Sequence, residues 1–289
     1  MSTMNVLHNP SWLDEFQFPY KAFDEVPSDV FAEINRGLDR IQDERPEVSI
    51  VVPVWNEELT ILNCVASLSR QQTNLPVEII VVDNNSTDNT AQTLEQLHVK
   101  RVFQPIQGWG PARQKGLEAA RGHFVLSGDA DSLYPPRWID TMYKALQQPG
   151  VSCVCGRYAF RAQHGLPRWK LFMLEKMRHL VEELKQVKRS YLNAFGCNMG
   201  FPRHLGLKVG YVMRHIRGED GRMAFGLMQM GRIRQVKTAH AVAWTSPRSI
   251  LKEGSFGSAM RRKVGKELKR VPELFVSHPP HDPKTSAND

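Results

Sequence analysis

Val48-Ser-Ile-Val-Val-Pro-Val54, followed by Trp55-Asn56-Glu57, is the stretch that decides the fold. It is a short apolar run closed by Pro53 and Asn56, which reads as a strand buried on both faces. Working outward, Ile61, Leu62, Val65 and Leu68 recur at helical spacing within 57–71. Val77 to Val82 is a second buried strand. A helix then starts at Ser86 or Thr87, either of them a good N-cap, and runs to about Leu97. Val99 to Phe103 is a third strand. Pro111 suits the first turn of a helix that stops before Gly122, and His123 to Ser127 is a fourth strand. Four strand–helix alternations with short links predict an α/β fold: a doubly wound, mostly parallel sheet with helices on both faces.

Ligands of such sheets bind beyond the carboxyl ends of the strands. After strand one comes Glu57, after strand two Asp83, and after strand four Asp129-Ala-Asp131. The fold brings these four like charges to one edge, where they repel unless cations or donors sit among them. A divalent cation (Mn2+ or Mg2+) carrying a diphosphate resolves the repulsion, because hard cations take oxygen ligands. Asp129 and Asp131, two apart in extended chain, point the same way and can approach one ion.

Val51-Val-Pro-Val-Trp-Asn-Glu57, Val81-Val-Asp-Asn-Asn-Ser-Thr-Asp88, Gly110-Pro-Ala-Arg-Gln-Lys-Gly116 and Asp129-Ala-Asp131, in that order, resemble the family 2 glycosyltransferases of GT-A fold. The resemblance is strongest over 48–140. Gln114 stands where the family usually has Asn. The resemblance implies that Pro53, Asn56 and Glu57 border the nucleoside and that Asp83 accepts a hydrogen bond from the base, commonly uracil. It sets Arg113 near the base or phosphates, Asp131 on the metal, and Asp129 on the ribose or metal. Gly196-Cys-Asn-Met-Gly-Phe-Pro-Arg203 is similar to a segment beside the donor sugar, making Asn198 and Arg203 candidates for hydroxyl or phosphate contacts. Arg217-Gly-Glu-Asp220 is similar to the family's Glu-Asp motif, with Asp220 the general base and Glu219 its neighbour. A base on the face of the sugar opposite the leaving diphosphate takes the proton of the acceptor hydroxyl. His240 is a candidate metal ligand or diphosphate contact.

The implied activity is metal-dependent, inverting transfer of a sugar from a nucleotide-diphosphate donor, UDP-linked by preference, to a hydroxyl of a glycan or lipid-linked glycan. The Gln-x-x-Arg-Trp sequence of processive members is missing, so one sugar per encounter is expected. Two other readings compete with this one. A sugar-nucleotide pyrophosphorylase opens with a Gly-rich phosphate loop, where this chain has Trp55-Asn56-Glu57-Glu58. A non-catalytic nucleotide-sugar-binding protein has no need of both Asp131 and Asp220.

These readings divide the chain into an N-terminal arm (1–46), a nucleotide-sugar-binding half (47–150), an acceptor and catalytic half (151–247) and a basic, then polar, C-terminal segment (248–289). The arm carries Trp12, Phe16, Phe18, Tyr20 and Phe23, with one helix near Asp29 to Gln42. Whether these aromatics pack on the body or on a partner is open at this point. In the second half Val151 to Phe160 reads as a strand. Trp169, Met173, Met177, Leu180, Leu184 and Val187 recur at helical spacing, read as a core-facing helix in preference to one lying on a membrane.

Composition bounds the rest. With 41% apolar and 24% charged residues, the profile is that of a soluble globular protein. No apolar run reaches the length of a membrane span. Met1 to Tyr20 lacks the pattern of a secretory signal, so a cytoplasmic chain is expected, with peripheral membrane contact left open. Cys64, Cys153, Cys155 and Cys197 lack zinc-site spacing and read as free thiols. The net charge is +8, and Arg248 to Arg270 holds eight Lys or Arg against two Glu. That segment is a candidate lid over the donor diphosphate, a membrane patch or a solvated helix face. The chain carries no zinc-finger spacing or RNP-like aromatics, so no nucleic-acid partner is expected.

Overall fold

The computed structural model describes residues 7–163, 165–214 and 218–251. In chain order the elements are α1 (Ser28–Ile41), β1 (Val48–Val54), α2 (Thr60–Ser69), β2 (Val77–Asp83), α3 (Thr90–Glu95), β3 (Lys100–Phe103), α4 (Trp109–Ala119), β4 (Phe124–Ser127), β5 (Ser132–Leu133) and α5 (Trp138–Leu146). The second half adds β6 (Val151–Phe160), α6 (Arg168–Lys188), β7 (Met199–Pro202), α7 (Arg203–Val209), α8 (Glu219–Met228), β8 (Arg232–Val236), β9 (Val242–Thr245) and α9 (Arg248–Leu251).

All seven residues of β1 and of β2 are buried, as expected of central parallel strands. The sheet runs β3-β2-β1-β4-β7-β6-β9-β5, with β8 also on β6. The first four strands are parallel. β7 then enters antiparallel between β4 and β6, and β8 and β9 run parallel to β6. The α/β expectation holds, and the second half makes the sheet mixed.

The arm packs on the body. Leu13, Phe16, Phe31, Ile34, Leu38 and Ile41 are buried in the same core cluster as Val48, Ile50 and Leu62. The four cysteines are free and buried.

Two expectations need correction. α3 begins at Thr90, because Ser86 and Thr87 hold the neighbouring loop instead of capping a helix. The Ser86 hydroxyl accepts the Asn56 N–H at 3.1 Å, and the Thr87 N–H donates to Asn56 Oδ1 at 2.8 Å. α6 forms, but its apolar stripe does not face the core. Trp169, Met173, Met177, Leu180 and Leu184 are exposed, while Arg168, Leu171, Leu174, Glu175 and Glu182 are buried. The inner face uses ion pairs: Arg168 donates to both Glu175 oxygens, at 3.1 and 2.7 Å. No described helix is long and apolar enough to cross a membrane. Of the basic C-terminal segment, 252–289 lies outside the described residues.

Candidate active site

The carboxyl ends of β1 and β2 are tied by their own loops. Asn56 takes a left-handed backbone (φ 52°), which Asn tolerates better than most residues. That turn aims its backbone N–H at Ser86 and its side-chain amide at Thr87, and the Glu57 N–H donates to Thr90 Oγ1 at 2.9 Å. Pro53 is buried within β1. Asp83 ends β2 with Oδ1 accepting the Ser86 N–H at 3.0 Å and Oδ2 meeting Arg101 of β3 at 3.3 Å.

The end of β4 carries the Asp-x-Asp. The Asp129 N–H donates to the Tyr134 hydroxyl at 2.9 Å, and that hydroxyl donates to the Cys197 carbonyl at 3.0 Å. Asp131 accepts from Thr245 Oγ1 at 3.0 Å, and its carbonyl accepts from buried Arg161 at 3.1 Å. Both strand ends then meet one guanidinium. Arg248 of α9 donates to Glu57 Oε1 at 2.6 Å and reaches Asp131 Oδ2 at 3.3 Å.

The Glu-Asp pair opens α8 after Gly218, whose backbone is left-handed (φ 87°). Asp220 accepts the Gly196 N–H at 2.9 Å and the Gly221 N–H at 2.7 Å. Arg113, only 3% exposed, joins this helix to the strand end. It pairs with Asp129 Oδ1 at 2.6 Å, approaches Glu219 Oε1 at 3.6 Å and donates to the Gly196 carbonyl at 3.0 Å and to Ser127. Gly196 has no room for a Cβ, because that guanidinium lies against it.

The electrostatics follow from this crowding. Burial raises the Asp129 pKa, assisted by Asp131 and Asp220 and opposed by Arg113. Burial likewise raises Glu219, with Arg113 opposing and Asp220 adding. Burial disfavours the charge of Arg113, but Asp129, Tyr211, Glu219 and Asp220 outweigh it and push its pKa up. One buried cation therefore serves several carboxylates.

The structure gives four of the sequence-derived candidates the following surroundings. Arg113 is a buried strut between Asp129 and Glu219, with its contacts at the β4 end and not at Asp83. Asn198 is fully buried and its amide is spent on structure. Its Oδ1 accepts from Trp138 Nε1 at 2.8 Å, and its Nδ2 donates to the carbonyls of Arg157 and Ala241 at 2.7 and 2.8 Å. Arg203 lies past Pro202, and its N–H donates to the His123 carbonyl at the amino end of β4, opposite the end that carries Asp129. His240 is exposed before β9, whereas Asp131 adjoins Thr245 at the end of that strand, so the two are not brought together. Arg101, Tyr134, Arg161 and Thr245 escaped the sequence reading.

Oxygen ligands for a hard cation are present in Asp131 and Glu57. The Arg248 guanidinium already sits between them, which shows that this spot accepts positive charge. No group of three ligand side chains forms among the described residues. Two carboxylates suit an ion that takes its other ligands from phosphate and water.

A model of glycosyl transferase family 2 matches residues 49–205, more than half of the chain. EpsH of Bacillus subtilis is 38% identical over 117 residues, covering 39% of this chain and 34% of EpsH. The chain thus spans about a third of the length of the curated relatives it matches. Among solved structures, glucosyl-3-phosphoglycerate synthase of Mycobacterium tuberculosis with Mn2+ and UDP-glucose superimposes with a TM-score of 0.53. It is 21% identical and is matched over 84% of this chain and 83% of the synthase. The mannosyltransferase PcManGT of Pyrobaculum calidifontis, with GDP-Man and Mn2+, gives 0.54 at 20% identity, over 85% and 75%. The fold is that of the GT-A glycosyltransferases.

Proposed function

The chain belongs to glycosyl transferase family 2, and from that premise we propose that it moves a sugar from a nucleotide-diphosphate donor to an acceptor hydroxyl. The observation that carries this reading is the Arg113 strut. It holds the Asp-x-Asp of β4 and the Glu-Asp of α8 at one edge of the sheet, where a donor and a base must meet.

Asp220 is the base. Its two oxygens are oriented by the N–H groups of Gly196 and Gly221, leaving lone pairs for the acceptor proton. As that proton moves to the carboxylate, the acceptor oxygen bonds to the anomeric carbon. The bond from that carbon to the diphosphate oxygen breaks, and the nucleoside diphosphate leaves. Asp131 and Glu57 would hold a Mn2+ or Mg2+ ion, which supplies charge stabilisation at the leaving diphosphate. Arg161 and Arg248 add positive charge beside Asp131. Asp83, Pro53 and Asn56 line the nucleoside end. A UDP-linked donor, inversion at the anomeric carbon and one transfer per encounter complete the proposal.

The test is release of nucleotide from a panel of UDP- and GDP-sugars with Mn2+. Asp220→Asn should lower turnover by about 100-fold or more and leave UDP affinity nearly intact. Asp131→Asn should remove the Mn2+ dependence of UDP binding. Tight binding of a nucleotide sugar with no release of nucleotide, under any acceptor tried, would replace a transferase with a binding protein.

A further inference from the structure

The outward face of α6 carries a run of exposed apolar side chains. Trp169, Met173, Met177, Leu180 and Leu184 follow one another at steps of four, four, three and four, so they share one side of the helix. Each is between 40% and 67% exposed. At 1.5 Å per residue the stripe is about 22 Å long. It is not a core face left open by chance. The opposite side of α6 is closed by Leu171 and Leu174 and by the pairs Arg168–Glu175 and Arg178–Glu182.

The borders of the stripe are basic. At about 100° per residue, Lys170 falls on one flank and Lys176 on the other. Glu183 is the one exposed carboxylate of α6, and it is already paired with Arg157 and Lys237, both at 2.5 Å. A second copy of this face would therefore set lysine against lysine. Ile250 of α9 is buried with Leu171 and Leu174 on the inner side of α6. An apolar stripe with a terminal Trp and basic borders matches the chemistry of an anionic bilayer surface.

We propose that α6 lies in the plane of an anionic membrane surface, its stripe at the acyl boundary and its lysines among the headgroups. Docking itself draws on no part of the donor site. Its consequence for the acceptor rests on the transferase reading. Arg168 at the start of α6 stands 5.1 Å from the ring of Trp244, next to the Thr245 that holds Asp131. A hydroxyl acceptor borne on a lipid would then reach the site from that side.

The experiment is co-sedimentation of the full chain with phosphatidylcholine vesicles, with and without phosphatidylglycerol. Nucleotide release in solution is read in parallel, so that a failure of docking and a failure of the transferase reading are separate results. The wild type should bind the phosphatidylglycerol vesicles, more weakly at high salt. Met173→Gln with Leu180→Gln and Leu184→Gln should lower that binding by at least about tenfold, because three apolar anchors are lost. Soluble turnover and melting temperature should not change. Met173→Leu with Leu180→Met keeps the stripe apolar and should bind as the wild type does. Equal vesicle binding by the glutamine variant would assign binding to another segment and overturn the proposal. So would absence of wild-type binding. In that case, a dimer lost in the glutamine variant would point to a second copy, and a lowered melting temperature to the chain's own cover.

Discussion

The two ends of the central sheet each gather charge, and they are finished differently. At the amino end of β1 and β2, the buried Glu78 carboxylate accepts from the Ser49 hydroxyl and from the Arg121 N–H, both at 2.6 Å. The Arg121 guanidinium at 3.2 Å and Lys100 at 3.8 Å complete its shell. Burial works against its charge, but the Ser49 and Arg121 hydrogen bonds and Lys100 outweigh it and lower its pKa. At the carboxyl end, burial wins: Asp129 and Glu219 are both raised, and they share Arg113. A carboxylate with its donors in place is a clamp. A cluster short of positive charge is prepared for a ligand that brings some.

Removing the cation from the crowded end should have the largest effect. Arg113→Ala leaves Asp129 and Glu219 facing each other without a partner. Breaking a buried pair in this way costs about 3 kcal/mol, a fall in melting temperature of about 9 °C at roughly 3 °C per kcal/mol. Turnover should collapse as well, because the strut aligns both carboxylate pairs. Calorimetry and nucleotide release check the two together. A variant that melts normally would show that the two ends are not as unlike as their contacts suggest.

Glu78→Gln should act on stability alone, by about 1–2 kcal/mol, with donor binding untouched. Its pH dependence has a definite sign. A lowered native pKa contributes stability above the unfolded value, near 4.5, and loses it as pH falls through the native value. The gap in melting temperature between wild type and variant should be full at neutral pH and shrink as the pH falls below the unfolded value. A gap that widened on acidification would reverse the account of this end.

The parallel half of the fold was legible because its evidence is local. β1 and β2 are apolar runs that only a buried strand explains, and the chemistry of such sheets collects where strands stop. That rule set Asp83, Asp129 and Asp131 at the ends of β2 and β4, where the structure has them. What escaped depends on partners distant in sequence. Arg101 reaches Asp83 through the pairing of β2 with β3, which no periodicity encodes. Asn198 stands in a suggestive segment, yet Trp138 and two carbonyls take its amide. The stripe of α6 was visible as a stripe, but spacing says which residues share a face and not what covers it. Because Arg168 and Glu175 satisfy each other inside, the polar side could be the buried one.

The smallest effect sharpens the contrast most, because it concerns the place where the crowded end borrows a cation from its own chain. Arg248 bridges Glu57 and Asp131, the same oxygens that would hold a divalent ion. The two cannot both occupy that position, so loading the ion must displace the guanidinium from Asp131. Arg248 is 38% exposed, and pairs this open to solvent are worth about 0.5 kcal/mol each. Two such contacts amount to a penalty of up to about fivefold on ion binding. Arg248→Ala should therefore tighten Mn2+ binding about two- to fivefold without nucleotide, measured by calorimetry or by the electron spin resonance of free Mn2+. With a nucleoside diphosphate present the sign should reverse, because the freed guanidinium then has phosphate oxygens to meet and its loss weakens the complex. Unchanged Mn2+ affinity in both conditions would mean that Arg248 and the ion do not compete. The positive charge at this edge would then be part of the finished structure, as it is around Glu78.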